Sequence, residues 1–332
     1  MPELREIAED DDGIRLDRWF KRHYPALTHG RLEKLLRKGE VRLDGKRAKA
    51  ADRVVAGQTL RLPPQVIHDK AEARPKSEPV KTARKLEDTI LYMDKHLFVL
   101  NKPPGLATQG GSGLKEHIDG MLDQLTYEKT IRPKLVHRLD RDTSGVLLIA
   151  RTAQSAAGLS RELASRDASK IYWALVKGVP KEKRGLIKGA LVKEGAGGRD
   201  ERMAISEDDD AKFALTEYAV MGQAAQEFAW IAAKPVTGRT HQIRVHLASL
   251  GTPIIGDFKY GSVQSRGRGA IADKLHLHAR SLDIARPDGG RVAVTAPLPP
   301  HMLKTWELLG FDPEDKRDPF PPKVRPPKVR RK

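Results

Sequence analysis

Apolar residues at the start of the chain recur at helical spacing and then alternate with charge. The spacing within residues 16–20 predicts one short helix, and the spacing within residues 32–36 predicts a second. Gly39 is expected to end the second helix. Asp44-Gly45, after an alternating stretch, is a strong hairpin signal, and residues 54–62 should supply a further strand. The pattern predicts two helices and a small sheet.

Later in the chain the apolar positions are mostly typical of strands. Residues 155–164 and 301–309 are the best helix candidates, and residues 194–210, rich in Gly and charge, should form a mobile loop or hairpin. The predicted strands are 97–100, 146–150, 172–177, 228–232, 243–246 and 282–294, the last folded around Asp288-Gly289-Gly290. This predicts an α+β domain with a mixed, mainly antiparallel sheet.

The remaining segments contain little apolar sequence and divide the chain into parts. Residues 64–88 are proline-containing, charged and aperiodic, which indicates a linker between a small domain at 14–63 and a large one at 89–312. Residues 313–332 include PPKVR twice in succession, which predicts a basic, proline-rich, disordered tail.

The charge of the chain changes this picture by indicating a polyanionic partner. Sixty-one Lys and Arg against 44 Asp and Glu give a net charge of +17. Residues 15–61 alone hold 14 basic against five acidic residues, a net of +9. Such a concentration is expected of a protein that contacts phosphates, although it could also merely solubilise a small helical domain.

Composition excludes several other classes. The chain has no cysteine, which rules out disulfides, thiolate catalysis and cysteine-ligated metal sites. No apolar run approaches the roughly 20 residues needed to span a bilayer. The acidic start lacks the apolar core of a signal peptide, so we expect a cytoplasmic protein. His241 and His246 are five residues apart, which does not suit a zinc pair, and no metal site is expected.

The most informative stretch is HRLDRDTSG at residues 137–145, directly before the apolar run 146–150. A loop beside a strand buried on both faces is held rigidly yet remains accessible. Asp140 is therefore the candidate chemical group, and Asp142, Thr143 and Ser144 should shape the turn through bonds to nearby backbone. An ordinary charged surface turn is the alternative.

The same stretch resembles the signature of the RluA-type pseudouridine synthases. Three further segments resemble motifs of that family in the expected order: ILYMDKHLFVLNKPPG at 90–105, KIYWA at 170–174 and GRTHQIRVH at 238–246. Together they cover roughly residues 88–300. The resemblance implies the pseudouridine synthase fold, and it implies an enzyme that detaches uracil from ribose, turns it and rejoins it through carbon-5 without a cofactor.

The resemblance also implies roles for particular residues. Asp140 would be the catalytic carboxylate, which either attacks the sugar or assists loss of the base, and Arg244 would be its ion-pair partner. Tyr172 would stack on uracil or remove the carbon-5 proton, and Arg138 would replace a base swung out of the RNA. As alternatives, Tyr172 could be plain core and Arg244 a strand-edge residue bound to another carboxylate. Within the same motifs, we expect substrate contacts from His137, Arg239, Thr240 and Gln242.

The N-terminal part, through LDRWF and RLEKLLRKGEVRLDG, resembles the S-four type of RNA-binding domain. Members of the synthase family that act on ribosomal RNA often carry such a module. The cations expected to meet phosphates lie on or beside one helix face: Arg31, Lys34, Arg37 and Lys38.

The implied partner is structured RNA, with large-subunit ribosomal RNA as the favoured substrate and a monomeric enzyme. Another hairpin of the same RNA, or transfer RNA, is the alternative within the family. Two other classes stay open: a non-catalytic RNA-binding protein of ribosome assembly, and a glycosidase-like enzyme. The latter normally needs two facing carboxyl groups.

Overall fold

The N-terminal part of the computed structural model forms a small four-stranded sheet with two main helices. The structure describes residues 3–24, 27–67, 82, 84–110, 116–127, 131–165, 167–195, 202–261 and 263–321. In chain order the elements are β1 (Glu3–Glu6), α1 (Leu16–His23), α2 (His29–Lys38), β2 (Arg42–Leu43), β3 (Lys46–Arg47), β4 (Thr59–Leu62) and α3 (Pro64–Ile67). The strands are antiparallel in the order β1-β4-β2-β3.

Local sequence accounts for these elements. Thr28 Oγ1 accepts the backbone N–H of Arg31 and caps α2, and Gly39, at φ 70°, ends it in the left-handed conformation that glycine adopts without strain. The predicted helices and the Asp44-Gly45 turn are confirmed. The predicted strand at 54–62 is shorter, because the Val55 N–H bonds to the Gln58 side chain in a turn before β4 begins.

The large part of the chain is built on one long mixed sheet. Its elements are β5 (Ile90–Met93), β6 (Leu97–Lys102), α4 (Ile118–Met121), β7 (Lys134–Leu135), β8 (Ser144–Ala150), α5 (Ala153–Ala164), β9 (Ser169–Lys177), β10 (Arg184–Glu194), β11 (Arg202–Ile205), β12 (Lys212–Ala224), β13 (Phe228–Pro235), α6 (Gln242–Ser249), β14 (Leu277–Ala285), β15 (Arg291–Thr295) and α7 (Pro300–Leu309).

Eleven strands of the described residues join in this sheet. The main order is β11-β10-β12-β13-β9-β14-β8-β6-β5, with β15 on β14 and β7 on β8. All strand pairs are antiparallel except β14 with β8. The predicted α+β domain with a mainly antiparallel sheet is therefore confirmed.

Strand β8 is buried along its whole length, as its apolar run predicts. Leu147 and Ile149 pack into a core with α4, whereas Val146 and Leu148 pack into a second core with α5 on the other face. Gly145 has φ 103°, and a Cβ there would lie 2.2 Å from the carbonyl oxygen of Ala279 on β14. Only glycine allows β8 to start this close to β14, which fixes where the preceding loop leaves the sheet.

Three predictions about this part are corrected by the structure. Residues 243–246 lie in helix α6 and not in a strand; most of this helix is buried, so its apolar positions do not show a clear helical period. Strands β10 and β12 were not predicted, because few of the β10 residues are buried and its apolar signal is weak. Within 194–210, the hairpin alternative holds for β11, which pairs with β10; residues 196–201 lie outside the described part.

The predicted linker and tail are changed at their edges. Residues 64–67 form α3, and most of the predicted linker lies outside the described residues. Residues 313–321 belong to the folded part: Arg280 donates to the Pro313 carbonyl, Arg317 to the Met221 carbonyl, and Phe320 packs on the core beneath α7. The tail prediction started too early because Phe320 is a single apolar anchor in a polar segment. Residues 322–332 lie outside the described part.

Candidate active site

The loop at residues 137–143 is attached to the loop that follows β6. Lys102, fully buried at the end of β6, donates from Nζ to the carbonyl oxygens of Pro103, Leu106 and Arg141 at 2.9–3.0 Å. Thr108 Oγ1 donates to the Leu139 carbonyl and accepts the Leu139 N–H. The backbone of Asp140 is thus held from both sides.

Lys102 is an internal cation used for position. Burial lowers the pKa of its ammonium group to about 7, which the charges of Asp142 and Asp140 oppose. A neutral amine has only two N–H donors, so the three carbonyl contacts require the ammonium form. The side chain joins the two loops that carry the NKPPG and HRLDRDTSG stretches.

Lys102→Met should lower the free energy of unfolding by about 3 kcal/mol, because buried carbonyls lose a charged donor. It should also slow turnover more than it weakens RNA binding, since the Asp140 loop loses an anchor. Urea unfolding and RNA titration would measure both effects. Lys183→Met, at an exposed lysine, is the matched control. Unchanged stability in Lys102→Met would contradict the anchoring role.

The predicted turn contacts are not those observed. Ser144 Oγ lies 2.9 Å from His278 Nδ1 rather than bonding to local backbone. Asp142 is exposed, with its carboxylate 3.8 Å from Arg141. The buried Thr143 hydroxyl has no hydrogen-bond partner among the described residues and lines the pocket beside Asp140. The loop is therefore held mainly by Lys102 and Thr108, which the sequence analysis missed.

Asp140 lies at a partly open pocket with a different nitrogen group facing each carboxylate oxygen. Its side chain is 27% exposed. Arg244 Nη1 is 3.6 Å from Oδ2, and His241 Nε2 is 3.8 Å from Oδ1. Tyr172 from β9 lines the same pocket. The three residues that the resemblance implied for catalysis are therefore brought together.

A second carboxylate, missed from the sequence, holds Arg244. Asp257 is 1% exposed and accepts from Arg244 Nε and Nη2 at 2.8 Å each. It also accepts the backbone N–H groups of Lys259 and Tyr260. Burial would lower the pKa of Arg244, but the bonds and charge of Asp257 raise it above its ordinary value. Arg244 is thus bound to another carboxylate, and it still faces Asp140 with its third nitrogen.

Tyr172 serves both the core and the pocket. Its ring packs against the cores on either side of β9 and lines the pocket wall. Burial, with a smaller effect of the Asp140 charge, raises the pKa of the Tyr172 hydroxyl well above its ordinary value. The hydroxyl is therefore protonated at any pH at which the protein works.

Two of the predicted substrate contacts are engaged within the protein. His137 Nε2 accepts the Leu148 N–H at 2.9 Å, and burial lowers the pKa of His137 to about 4, so the ring is neutral and orients the loop. Buried Gln242 donates to the Leu215 carbonyl and Thr216 Oγ1, and accepts from Thr237 Oγ1 and the Arg239 N–H. Its amide is used up in holding the start of α6.

The other predicted contacts lie at the rim of the pocket. Arg138 is exposed, with one guanidinium nitrogen 3.3 Å from Gln109 Oε1. Arg239 and Thr240 are exposed as well, and Arg239 Nε donates to the Phe213 carbonyl. These side chains can meet a ligand without leaving buried positions.

Within the described part of the chain, no three His, Asp or Glu side chains are grouped so that they could hold a metal ion. The same residues include no helix with the length and apolarity to cross a bilayer.

Comparison with known proteins agrees with this geometry. The RNA pseudouridylate synthase family model matches residues 96–249. Ribosomal large subunit pseudouridine synthase C of Pasteurella multocida (strain Pm70) is 36% identical over 317 residues, 91% of this chain and 92% of that protein. The protein of the same name from Rickettsia prowazekii (strain Madrid E) is 36% identical over 296 residues, 86% of this chain and 94% of that protein.

Solved structures show the same fold. Human RNA pseudouridylate synthase domain containing 4 superposes with a TM-score of 0.57 at 28% identity, covering 71% of this chain and 97% of that one. Human RNA pseudouridylate synthase domain containing 1 gives 0.52 at 32% identity, covering 64% and 83%. The pocket around Asp140, the shared fold and the extended sequence identity agree, and the chain belongs to the RNA pseudouridylate synthase family.

Proposed function

We propose that this chain converts uridines of large-subunit ribosomal RNA to pseudouridine, with the Asp140 carboxylate acting on the target nucleotide. The observation that carries the site assignment is the placement of Asp140: a partly exposed carboxylate on an anchored loop, facing Arg244 and His241 in a pocket that Tyr172 lines. The substrate is proposed from the names of relatives that align along 86–92% of this chain.

The chemistry needs a group that acts at the sugar and a pocket that keeps the detached base. Asp140 can attack the ribose or assist loss of the base, and Arg244 offsets negative charge beside it. The Tyr172 ring offers an apolar face for uracil. Because its hydroxyl is protonated, Tyr172 would serve as a hydrogen-bond partner of the base and would need help to accept the carbon-5 proton.

Access to a base inside folded RNA requires the nucleotide to turn outward. Arg138 sits one residue from Leu139 and two from Asp140, exposed at the pocket rim. Its planar guanidinium can fill the space that the base leaves in the stack. Arg239 at the opposite rim can contact a flanking phosphate.

We also propose that residues 14–63 act as an RNA-binding domain of the S-four type, joined through 64–88 to the synthase domain at 89–312. In α2, the apolar residues Leu32, Leu35 and Leu36 are buried against the small core. The cations Arg31, Lys34, Arg37 and Lys38 are exposed on the rest of the helix. This leaves a basic helix surface facing outward, as phosphate binding requires.

Replacing these four cations with Gln should weaken RNA binding and flatten its salt dependence. For folded RNA, each lost phosphate contact should reduce the slope of log affinity against log salt by roughly 0.9. Filter binding at several salt concentrations would measure the slope. Lys304→Gln, on the exposed side of α7, gives the effect of one charge lost elsewhere. An equal change per charge in both variants would contradict a binding surface on α2.

The direct test is tritium release from RNA labelled at uracil carbon-5, since that hydrogen leaves when the new bond to ribose forms. The full chain should release tritium from unmodified large-subunit RNA, and not from small-subunit RNA or transfer RNA. Release only from transfer RNA would move the substrate within the family. Binding without any release would favour a ribosome-assembly protein. As a cytoplasmic monomer, the chain should elute at its monomer mass of 36.9 kDa with and without salt.

A further inference from the structure

His241 occupies an unusual backbone position beside Asp140. It has φ 54° and ψ 15°, the left-handed conformation, directly before helix α6. For a residue with a side chain this conformation is uncommon and costs energy, so neighbouring contacts must hold it. The ring is held by Tyr260, whose hydroxyl lies 2.6 Å from Nδ1, and Nε2 is directed toward Asp140.

The hydrogen bonds determine which ring nitrogen carries the proton. The Tyr260 oxygen accepts the backbone N–H of Met203 on β11 at 3.0 Å. The acceptor that the described residues offer for the Tyr260 proton is His241 Nδ1. Because Nδ1 then accepts a hydrogen bond, the neutral ring carries its proton on Nε2, the nitrogen 3.8 Å from Asp140 Oδ1.

We propose that His241 is a positioning residue, whose Nε2–H donates to Asp140 Oδ1 while Arg244 faces Oδ2, so that the carboxylate is held by both oxygens. The proposal rests on the proposed role of Asp140. The separation of 3.8 Å is longer than a hydrogen bond, and a shift of about 1 Å when the pocket closes on substrate brings it into range.

Tyr260 connects this arrangement to the rest of the site. Its hydroxyl fixes the His241 tautomer, and its ring lies 5.0 Å from the Arg244 guanidinium. The backbone N–H of Tyr260 bonds to Asp257, which holds Arg244. One residue thus orients both nitrogen groups that face Asp140, and through Met203 it is bonded to β11 at the end of the long sheet.

The charges around His241 agree with a neutral ring. Burial, with the charges of Arg244 and Lys259, lowers the pKa of His241, while the carboxylates of Asp140 and Asp257 oppose this effect. Tyr260 faces the ring from the other side with its hydroxyl. A neutral imidazole with a fixed tautomer is a directional donor that adds no charge to the pocket.

Two substitutions separate the Nε2–H from the backbone conformation. His241→Asn suits the left-handed conformation, but its amide reaches only the place of Nδ1. His241→Gln can place an N–H near the position of Nε2. We expect His241→Asn to lower the single-turnover rate by about 100-fold with RNA affinity unchanged, and His241→Gln to retain most of the rate.

Tyr260→Phe tests the tautomer without relying on activity. It keeps the ring beside Arg244 but removes the hydroxyl proton. Nitrogen NMR of histidine-labelled full chain, with the His241 signals assigned by their loss in His241→Asn, should show unprotonated Nδ1 and protonated Nε2 in the parent. Both tautomers should appear in Tyr260→Phe.

Several outcomes would overturn the proposal. Equal rates in His241→Asn and the parent would remove the positioning role, and a loss of RNA affinity at unchanged rate would make His241 a binding residue. A protonated Nδ1 in the parent would remove the tautomer argument. Full activity in an Asp140 variant would instead refute the proposed site, so the two failures can be told apart.

Discussion

Asp140→Asn should lower tritium release from large-subunit RNA by on the order of 10⁴-fold while RNA affinity changes little. The amide has nearly the same shape as the carboxylate, but it can neither attack the ribose nor accept a proton. The loop should keep its position, because Lys102 and Thr108 hold backbone atoms around Asp140 rather than its side chain. Single-turnover release with labelled RNA in excess enzyme would measure the loss.

Asp142→Asn is the matched control in the same loop. Its side chain is 60% exposed and 3.8 Å from Arg141, so it should release tritium at nearly the parent rate. Loss in Asp142→Asn with activity retained in Asp140→Asn would show that the wrong carboxylate had been chosen. Assaying free uracil in the same samples excludes a glycosidase, because an isomerase keeps the base on the RNA.

The parts of the fold that local sequence determines were predictable. The helices at α1, α2, α5 and α7, the turn at Asp44-Gly45 and the buried strand β8 each follow from spacing or from a short apolar run. These signals arise within about ten residues, where side-chain period and turn preference decide the conformation. Helix α6 was predicted as a strand because Ile243, Val245 and Leu247 alternate, and burial on most sides removed the helical period.

The site was predictable only where a residue belongs to a motif. Asp140, Tyr172 and Arg244 were expected from three separate motifs, and the sheet brings them to one pocket. Asp257 and Lys102 were missed as site residues, because their roles depend on contacts across the fold: Asp257 on Arg244, and Lys102 on the Arg141 carbonyl. A charged residue type does not reveal burial, and burial gives these two their effect.

Arg244→Met should reduce both stability and activity. The Asp257 carboxylate, 1% exposed, would keep two backbone donors but lose its cation, and breaking a buried pair in this way costs about 3–5 kcal/mol. Asp140 would lose the nitrogen that faces Oδ2. Arg244→Lys keeps the charge but cannot bond to Asp257 through two nitrogens, so it should lie between Arg244→Met and the parent in stability. Urea unfolding and single-turnover tritium release measure the two effects.

A second substitution separates the two roles of this arginine. Arg244→Met combined with Asp257→Asn removes the unpaired buried charge, so much of the stability should return. Activity should stay low, because the group facing Asp140 Oδ2 is still missing. Recovery of both properties would mean that Arg244 only balances Asp257. Recovery of stability alone would show that the ion pair with Asp257 holds a cation whose chemical purpose is the carboxylate of Asp140.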